Sequence, residues 1–262
     1  MWIGDVMIKK LYNYRQLLKS NVQKEIRGKY KGSFLGILWS FVNPLLQVLV
    51  YALVFPFIMR NTQDNYVVFL IIGILPWTWF ITSINQGTSC ILANAGIIKK
   101  VYFPREILPI SVVTSGLINF LISCIVIFLF LLFSGVGFSI YILFVPFIIL
   151  IQFILTLGIL LITSAIDVYI RDAEYIVNFM VNMLFYATPI LYSPNVFADS
   201  PISWLFKINP LAVIMNGYRD ALFYQVMPNL SLLFVIAIVS IIILLIGIAV
   251  FRKLEKGFAE EV

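Results

Sequence analysis

The sequence has 262 residues, of which 62% are hydrophobic and only 11% are charged, and its formal net charge is +6. This composition excludes an ordinary soluble domain and indicates an integral membrane protein. Histidine is absent, which removes the commonest general base and metal ligand, so we expect no catalytic residue and no metal site.

Apolar residues recur at helical spacing near the start of the chain. Within residues 4–24, Met7, Leu11 and Tyr14 fall on one side, while lysines and glutamines lie elsewhere. This pattern predicts an amphipathic helix at the membrane surface. Four basic residues between positions 24 and 31 then precede the first long apolar run. Basic residues at this place fix orientation and attract anionic lipids, so we expect a cytoplasmic N-terminus.

Six apolar runs of membrane-spanning length follow, which predicts an all-α integral membrane fold with six transmembrane helices. Their approximate bounds are 34–58, 66–90, 107–133, 140–165, 176–193 and 229–250. The segments predicted to be cytoplasmic hold 15 of the 18 Lys and Arg residues. This asymmetry predicts a multi-pass protein of the cytoplasmic membrane with both termini inside. An interfacial segment, 1–33, would precede the transmembrane domain, 34–262, and residues 251–262 would form a cytoplasmic tail.

The loop of residues 91–106, between the second and third runs, carries three basic residues and one glutamate. Such a loop cannot lie in hydrocarbon. A short helix is predicted near Asn94–Phe103, since Pro104 disfavours a helical residue before it. We interpret it as a coupling helix on which an external machine acts; the alternative is an ordinary positive-inside loop. The residues assigned to coupling are Asn94, Ile97, Ile98, Lys99, Lys100, Val101, Tyr102 and Phe103.

The segment of residues 194–228 does not resemble a simple loop. Ser200-Pro201 and Asn209-Pro210 each pair a capping residue with a proline, which predicts two short helices. The second would be about 22 Å long, too short for a hydrocarbon core of about 30 Å, so we expect two re-entrant helices. We interpret them as an outer gate and expect Tyr218 to be reachable from outside the cell. The assigned residues are Trp204, Asn209, Pro210, Tyr218, Arg219 and Asp220.

Two predicted spans carry amides and aromatic rings at helical spacing. They are Trp39, Asn43, Gln47 and Tyr51 on the first, and Asn178, Asn182, Phe185 and Tyr186 on the fifth. Amides exchange hydrogen bonds with hydroxyls, and uncharged rings stack on sugars, so these faces suit a glycan as the transported substrate. The alternative is interhelical packing, in which buried amides bridge neighbouring helices.

An energy source is missing from the sequence. No phosphate loop of the form G-x-x-x-x-G-K-[ST] occurs, and no acidic residue lies in the middle of a predicted span, as a proton relay would require. The chain is therefore not expected to be an enzyme. If it transports, a partner must supply the energy.

Three stretches resemble the membrane subunit of bacterial ABC exporters for polysaccharides and polyol phosphates. They read KEIRGKYKGSFLGILWSFVNPLL, NAGIIKKVYFPREILPIS and DVYIRDAEYIVNFMVNMLFYATPILYS. The resemblance implies a type-2 exporter fold and a homodimer served by two separate ATP-binding-cassette subunits, which would carry ATP and Mg. It also implies export of a lipid-linked glycan. Membrane lipids are the other expected partners, and no nucleic acid is expected.

Several alternatives stay open on the sequence alone. The passenger could be an O-antigen, which we prefer, or a capsule or teichoic acid. Within the transporter class, a drug or antibiotic efflux permease is the alternative. Its pathway should be more apolar and lack paired amide and aromatic faces. In a different class, the chain would be a membrane scaffold of glycan synthesis that moves nothing.

Overall fold

A computed structural model describes residues 12–30, 32, 34, 36–59, 64–193 and 203–261. This part of the chain is helical, without strands. The longer helices are α1 (Arg15–Tyr30), α2 (Trp39–Met59), α3 (Tyr66–Thr88), α6 (Ile107–Phe133), α7 (Val145–Asp167), α8 (Ala173–Ala187), α10 (Pro210–Leu222) and α11 (Leu230–Leu254). The short ones are α4 (Cys90–Ala93), α5 (Ala95–Ile98), α9 (Ser203–Ile208) and α12 (Phe258–Glu261). Three single turns of 3-10 helix cover Gly36–Leu38, Ile140–Phe144 and Glu255–Gly257.

Helix α3 is the centre of the bundle. Most of its side chains are buried, and Phe69, Ile71 and Ile84 are fully inaccessible. It contacts α2, α6, α7, α8 and α10. A helix that is apolar all round, as α3 is over residues 66–77, can be buried on every side. Its neighbours therefore take their positions from it.

Helices α7 and α11 approach each other closely at two glycines. A Cβ atom on Gly158 would lie 2.7 Å from the backbone nitrogen of Leu244, and one on Gly247 would lie 2.5 Å from the carbonyl oxygen of Gly158. Small residues allow the backbones of membrane helices to approach in this way. The two helices consequently form a tight pair.

Among the described residues, four helical segments are both long and apolar enough to cross a membrane: Tyr66–Thr88, Ile107–Phe133, Ile140–Asp167 and Leu230–Gly257. These agree with four of the six predicted runs. Helix α2 is 21 residues long, or about 31 Å. The count of six spans stays a prediction, because the helix of the fifth run is short.

The bounds predicted for the fifth run, 176–193, are wrong. Helix α8 begins at Ala173, ends at Ala187 and has 15 residues, or about 22 Å. It stops there because Pro189 disfavours a helical conformation at Thr188, whose φ of −109° and ψ of 133° are extended. The chain then turns back.

The segments between helices gather at two ends of the bundle. We call one the basic end; it is formed by residues 90–106, 167–172 and 252–261. The other end is formed by residues 134–139, 188–193 and 223–229. The side chain of Gln225 donates a hydrogen bond of 2.6 Å to the Val136 carbonyl at this second end. The basic end is the one predicted to be cytoplasmic.

The N-terminal helix lies against the bundle. Helix α1 contacts α6, and Val22 is buried while Lys19 and Arg27 are exposed. A helix is thus present over Arg15–Tyr30, which overlaps the predicted amphipathic helix of residues 4–24. Residues 4–11 lie outside the described residues, and a position at the membrane surface stays a prediction.

The coupling helix is shorter than predicted over Asn94–Phe103. Only Ala95–Ile98 is helical, and residues 101–104 are irregular. The side chain of Asn94 donates to the Cys90 carbonyl, 2.8 Å away, and so separates this turn from the one before it. Pro104 explains the irregular end, because the residue before proline is pushed away from the helical region.

Candidate functional site

The two polar and aromatic faces predicted from the sequence come together at the rings of Tyr51 and Phe185. The ring centroids of Tyr51 on α2 and Phe185 on α8 are 6.1 Å apart. Phe185 is also 5.7 Å from Trp77 on α3 and 5.4 Å from Tyr186. These distances are typical of favourable ring pairs. We call Tyr51, Trp77, Phe185 and Tyr186 the aromatic cluster.

The amides around this cluster point outward instead of bridging helices. Asn43 and Asn182 are exposed, and Trp39, Gln47 and Asn178 are half-buried. Gln47 donates a hydrogen bond of 3.3 Å to the Tyr51 hydroxyl, and Asn182 donates one of 2.8 Å to the Asn178 carbonyl. Both bonds stay within one helix. They do not provide the interhelical bridge that the packing alternative requires inside one subunit.

Helices α2 and α8 also expose apolar side chains beside these polar groups. Those exposed by at least 44% of their surface are Leu46, Leu49, Val50, Leu53 and Val54 on α2, and Tyr175, Ile176, Phe179, Met180 and Met183 on α8. The side chain of Tyr186 is 69% exposed. An apolar surface of this extent faces lipid, a passenger or another protein chain.

At the basic end, the residues assigned to coupling divide into buried and exposed ones. Ile98 and Phe103 are buried and hold the segment against the bundle. Ile97, Val101 and Tyr102 are exposed, the last by 90% of its surface, and Lys99 and Lys100 are exposed as well. The segment thus presents apolar side chains with a rim of positive charge, which is the usual anatomy of a binding surface.

We call residues 94–103 the coupling segment. It is joined to the N-terminal helix, α1. The Lys24 ammonium donates a hydrogen bond of 2.7 Å to the side-chain oxygen of Asn94. Asn94 is buried and uses its amide nitrogen on the Cys90 carbonyl. Both ends of this amide are therefore satisfied, and α1 is fixed to the basic end.

At the opposite end, Asn209 begins α10 as predicted. Its side-chain oxygen accepts a hydrogen bond of 3.0 Å from the Leu211 amide, and Pro210 occupies the first turn. This confirms the capping signal. Its amide nitrogen donates to the Ala187 carbonyl and to the Thr188 hydroxyl, at 3.1 and 3.0 Å. Asn209 therefore joins the start of α10 to the end of α8.

Helix α9 begins at Ser203, close to the first of the two predicted short helices. The Ser200-Pro201 pair that predicts it lies outside the described residues. Trp204, assigned to the outer gate, is 57% exposed, whereas Phe206 on the same helix is buried.

The expectation that Tyr218 faces water is wrong for this structure. Its side chain is 1% exposed, and its hydroxyl donates a hydrogen bond of 3.0 Å to the side-chain oxygen of Gln152. Gln152 in turn donates to the Pro76 carbonyl, at 2.8 Å. The residue lies inside because α10 packs against α3 and α7. Only Asp220 at this end of the helix stays partly accessible.

Arg219 is also buried, with 1% of its surface exposed. Its guanidinium donates to the carbonyls of Pro189 and Ile190 and lies 3.6 Å from the centroid of the Phe69 ring. Gly73 leaves the space, since a Cβ there would lie 2.7 Å from a guanidinium nitrogen. A buried charge requires partners of this kind; here a planar fork meets two carbonyls and one ring.

Sequence reasoning missed several residues at these sites. Gln152 is a lone amide in an apolar run, a signal that could have marked it as buried and hydrogen-bonded. Trp77 and Gly73 carry no comparable signal, because their roles depend on which helices meet. Cys90 and Cys124 are free and buried. Within the described ranges, no group of three or more His, Cys, Asp or Glu residues could hold a metal ion.

Comparison with known proteins assigns the chain to a family. Residues 16–223 match the model of the ABC-2 type transporter family. The chain is 36% identical to the O-antigen export system permease protein RfbA of Myxococcus xanthus, over 98% of this chain and 99% of that protein. It is 37% identical to an RfbA of Klebsiella pneumoniae, over 97% and 98% of the two chains. The polysialic acid transport protein KpsM of Escherichia coli is more distant, at 26% identity over 89% of this chain and 92% of that one. This integral membrane protein therefore belongs to the ABC-2 type transporter family.

Proposed function

We propose that the chain is the permease subunit of an ABC transporter that exports a lipid-linked polysaccharide across the cytoplasmic membrane. An O-antigen-type glycan is the preferred passenger. The observation that carries this proposal is the similarity, along nearly the whole chain, to permeases named for O-antigen export. The more distant similarity to a polysialic acid transporter keeps a capsule polysaccharide as the second candidate.

The proposed topology has six spans, formed by α2, α3, α6, the Ile140–Asp167 segment, α8 and α11. Helices α9 and α10 would be re-entrant on the outer side, and both termini would be cytoplasmic. Helix α8 alone, at about 22 Å, is too short to cross the membrane. The turn of residues 188–193, which Asn209 and Arg219 hold against the rest of the subunit, would complete the fifth span. Irregular backbone at membrane depth is tolerated where protein covers it.

The aromatic cluster and its exposed amides supply the proposed pathway surface. Rings offer flat faces for sugar C–H groups, and the amides of Asn43 and Asn182 offer hydrogen bonds to hydroxyls. A second copy of the chain facing the exposed sides of α2 and α8 would enclose this surface between two subunits. The homodimer is thus part of the proposal, and its support is the exposure of the Asn43 and Asn182 amides, which are costly against lipid and would be covered by a second copy.

The energy would come from two separate ATPase subunits that bind ATP and Mg. Their proposed contact is the coupling segment, whose exposed Ile97, Val101 and Tyr102 are apolar side chains on an otherwise charged surface. Central apolar side chains supply most of the binding energy of an interface, and rim charges supply less.

The experiment that tests the function is deletion of the gene in its host, followed by analysis of lipid-linked material inside the cell. We expect one lipid-linked glycan to accumulate in the deletion strain. We also expect the native chain, purified in complex with its ATP-binding-cassette subunits, to hydrolyse ATP. Accumulation of no glycan, with unchanged surface polysaccharide, would contradict the proposal. Loss of glycan synthesis itself would favour the scaffold alternative, and drug sensitivity without a glycan defect would favour efflux.

Replacing Trp39 and Tyr51 by leucine should reduce glycan export several-fold. The change preserves apolar bulk but removes two rings, each of which contributes about 1 kcal/mol when it stacks. Export is measured as glycan reaching the cell surface, beside assembly and basal ATP hydrolysis, both of which we expect to persist. Phe138→Leu, at an exposed ring in the segment that follows α6, is the control. Equal export in the double variant and the control would remove the pathway role.

Replacing Val101 and Tyr102 by aspartate should prevent productive contact with the ATPase. The substitution removes two apolar side chains from the interface and places two unpaired carboxylates in an apolar docking pocket. We expect co-purification or complex-dependent ATP hydrolysis to fall at least ten-fold, and Lys99→Ala to have a smaller effect. Full transport by the double aspartate variant would show that the coupling segment is not the contact.

A further inference from the structure

Among the described residues, the end of α11 and the turn that follows it make five contacts with other segments of the basic end. We call residues Arg252–Phe258 the C-terminal clamp. The sequence predicts only a cytoplasmic tail here, yet Phe251 and Phe258 are fully buried and pack edge to face, with centroids 5.4 Å apart. The clamp is thus folded against the bundle.

Three of the contacts come from two consecutive residues at the end of the loop of residues 91–106. The Arg105 guanidinium donates to the Glu255 carbonyl and lies 5.7 Å from the Phe258 ring centroid. A side-chain oxygen of Glu106 lies 3.5 Å from Nε of Arg252, and the Glu106 side chain is only 7% exposed. The loop is therefore held by one partly buried ion pair, one hydrogen bond and one cation–ring contact.

The other two contacts come from Tyr169, in the turn between α7 and α8. The Tyr169 hydroxyl donates a hydrogen bond of 2.7 Å to the Leu254 carbonyl, and its ring is 6.2 Å from that of Phe258. Gly257 fits beneath it, since a Cβ there would lie 2.4 Å from the hydroxyl. The last carbonyls of a helix have no partner within the helix. Arg105 and Tyr169 supply those partners for α11, and the positive charge of Arg105 suits a helix C-terminus.

We propose that Arg105 and Glu106 are positioning residues that transmit movement of the coupling segment to α11 through the C-terminal clamp. The inference rests on the proposed function, because it takes the coupling segment as the ATPase contact. Val101 and Tyr102 face outward only a few residues before Arg105, while Arg105 and Glu106 face inward. A push on the segment therefore reaches the end of α11 directly, and reaches α7 through the glycine contact between α7 and α11.

The test measures how much glycan assembled complexes move for each ATP hydrolysed. This ratio distinguishes residues that transmit movement from residues that only stabilise the fold. The variants are Arg105→Ala, Glu106→Gln and Arg252→Gln; Lys253→Gln, an exposed neighbour with the same loss of charge, is the control. We expect each of the three to assemble and hydrolyse ATP while moving about five-fold less glycan per ATP, the low end of typical coupling free energies. The control should match the native chain.

A charge-exchanged pair and a conservative variant sharpen the test. Glu106→Lys with Arg252→Glu should restore coupling above either single change, whereas Arg105→Lys should not, because an ammonium lacks the planar fork. The variants could instead lower the yield of assembled complex while each complex moves as much glycan per ATP as the native one. In that case the role is structural and the inference is overturned. Native ratios at native yield would overturn it as well. If the native chain binds no ATPase, the proposed function and this inference fail together; a coupled native complex with coupled variants removes the inference alone.

Discussion

Gly158→Val is expected to destabilise the folded protein by more than about 3 kcal/mol, the upper end of ordinary overpacking. The added Cβ alone would lie 2.7 Å from the Leu244 nitrogen and 2.9 Å from the Ile243 carbonyl carbon. These are backbone atoms, so no side-chain rotation relieves the clash. The two helices must separate, and the packing along both would be lost.

The measurement is thermal unfolding in detergent, together with the yield of monodisperse protein. Gly28→Val is the matched control, because nothing lies within 4 Å of a Cβ at Gly28 and valine has a higher helix propensity than glycine. Gly158→Ala should fall between the two. Native-like melting of Gly158→Val would mean that α7 and α11 do not cross at this point.

Arg219→Met is expected to cost about 2–4 kcal/mol, because two hydrogen bonds from a charged group are lost and part of the desolvation cost of the charge is recovered. The Pro189 and Ile190 carbonyls lose their donor, and the Phe69 ring loses its cation. We also expect export to fall, because the end of α8 would no longer be held against α10.

Two variants test the cause of that loss. Arg219→Lys keeps the charge but cannot reach both carbonyls and the ring together, so it should recover only part of the stability. Arg171→Met, at an exposed arginine, should change unfolding by no more than about 0.5 kcal/mol. Equal stability of Arg219→Lys and the native chain would show that charge alone, and not the fork, matters.

The helices themselves follow largely from the sequence. Long apolar runs predict four of them because twenty apolar residues have few other stable arrangements in a membrane. Asn209-Pro210 predicts the start of α10 because its geometry is local. The end of α8 was misplaced although Pro189 marks it, since the apolar character of Ile190 and Leu191 continues the run past the proline.

The sequence predicts which residues of the candidate site share one helix face, but not how the helices bring those faces together. Spacing along one helix indicates which residues share a face, and so it grouped Asn43 with Gln47 and Asn178 with Asn182. The meeting of Tyr51 with Phe185, and the addition of Trp77, depend on how three helices pack, which no local pattern records. The burial of Arg219 was missed for the same reason. An arginine on a short helix is expected to face water, and its burial depends on Gly73 and Phe69, which come from another helix.

The contact between Gly158 and Gly247 also limits which movements the protein can make. Each glycine is a notch that receives the backbone of the other helix. A slide of one residue along the axis, about 1.5 Å, would bring a full side chain toward the place that a notch now occupies. Shear between α7 and α11 is therefore blocked, and the pair must travel as one rod. Any opening of the subunit would therefore move that rod as a unit against the longer helices it contacts, which are α3, α6, α8 and α10.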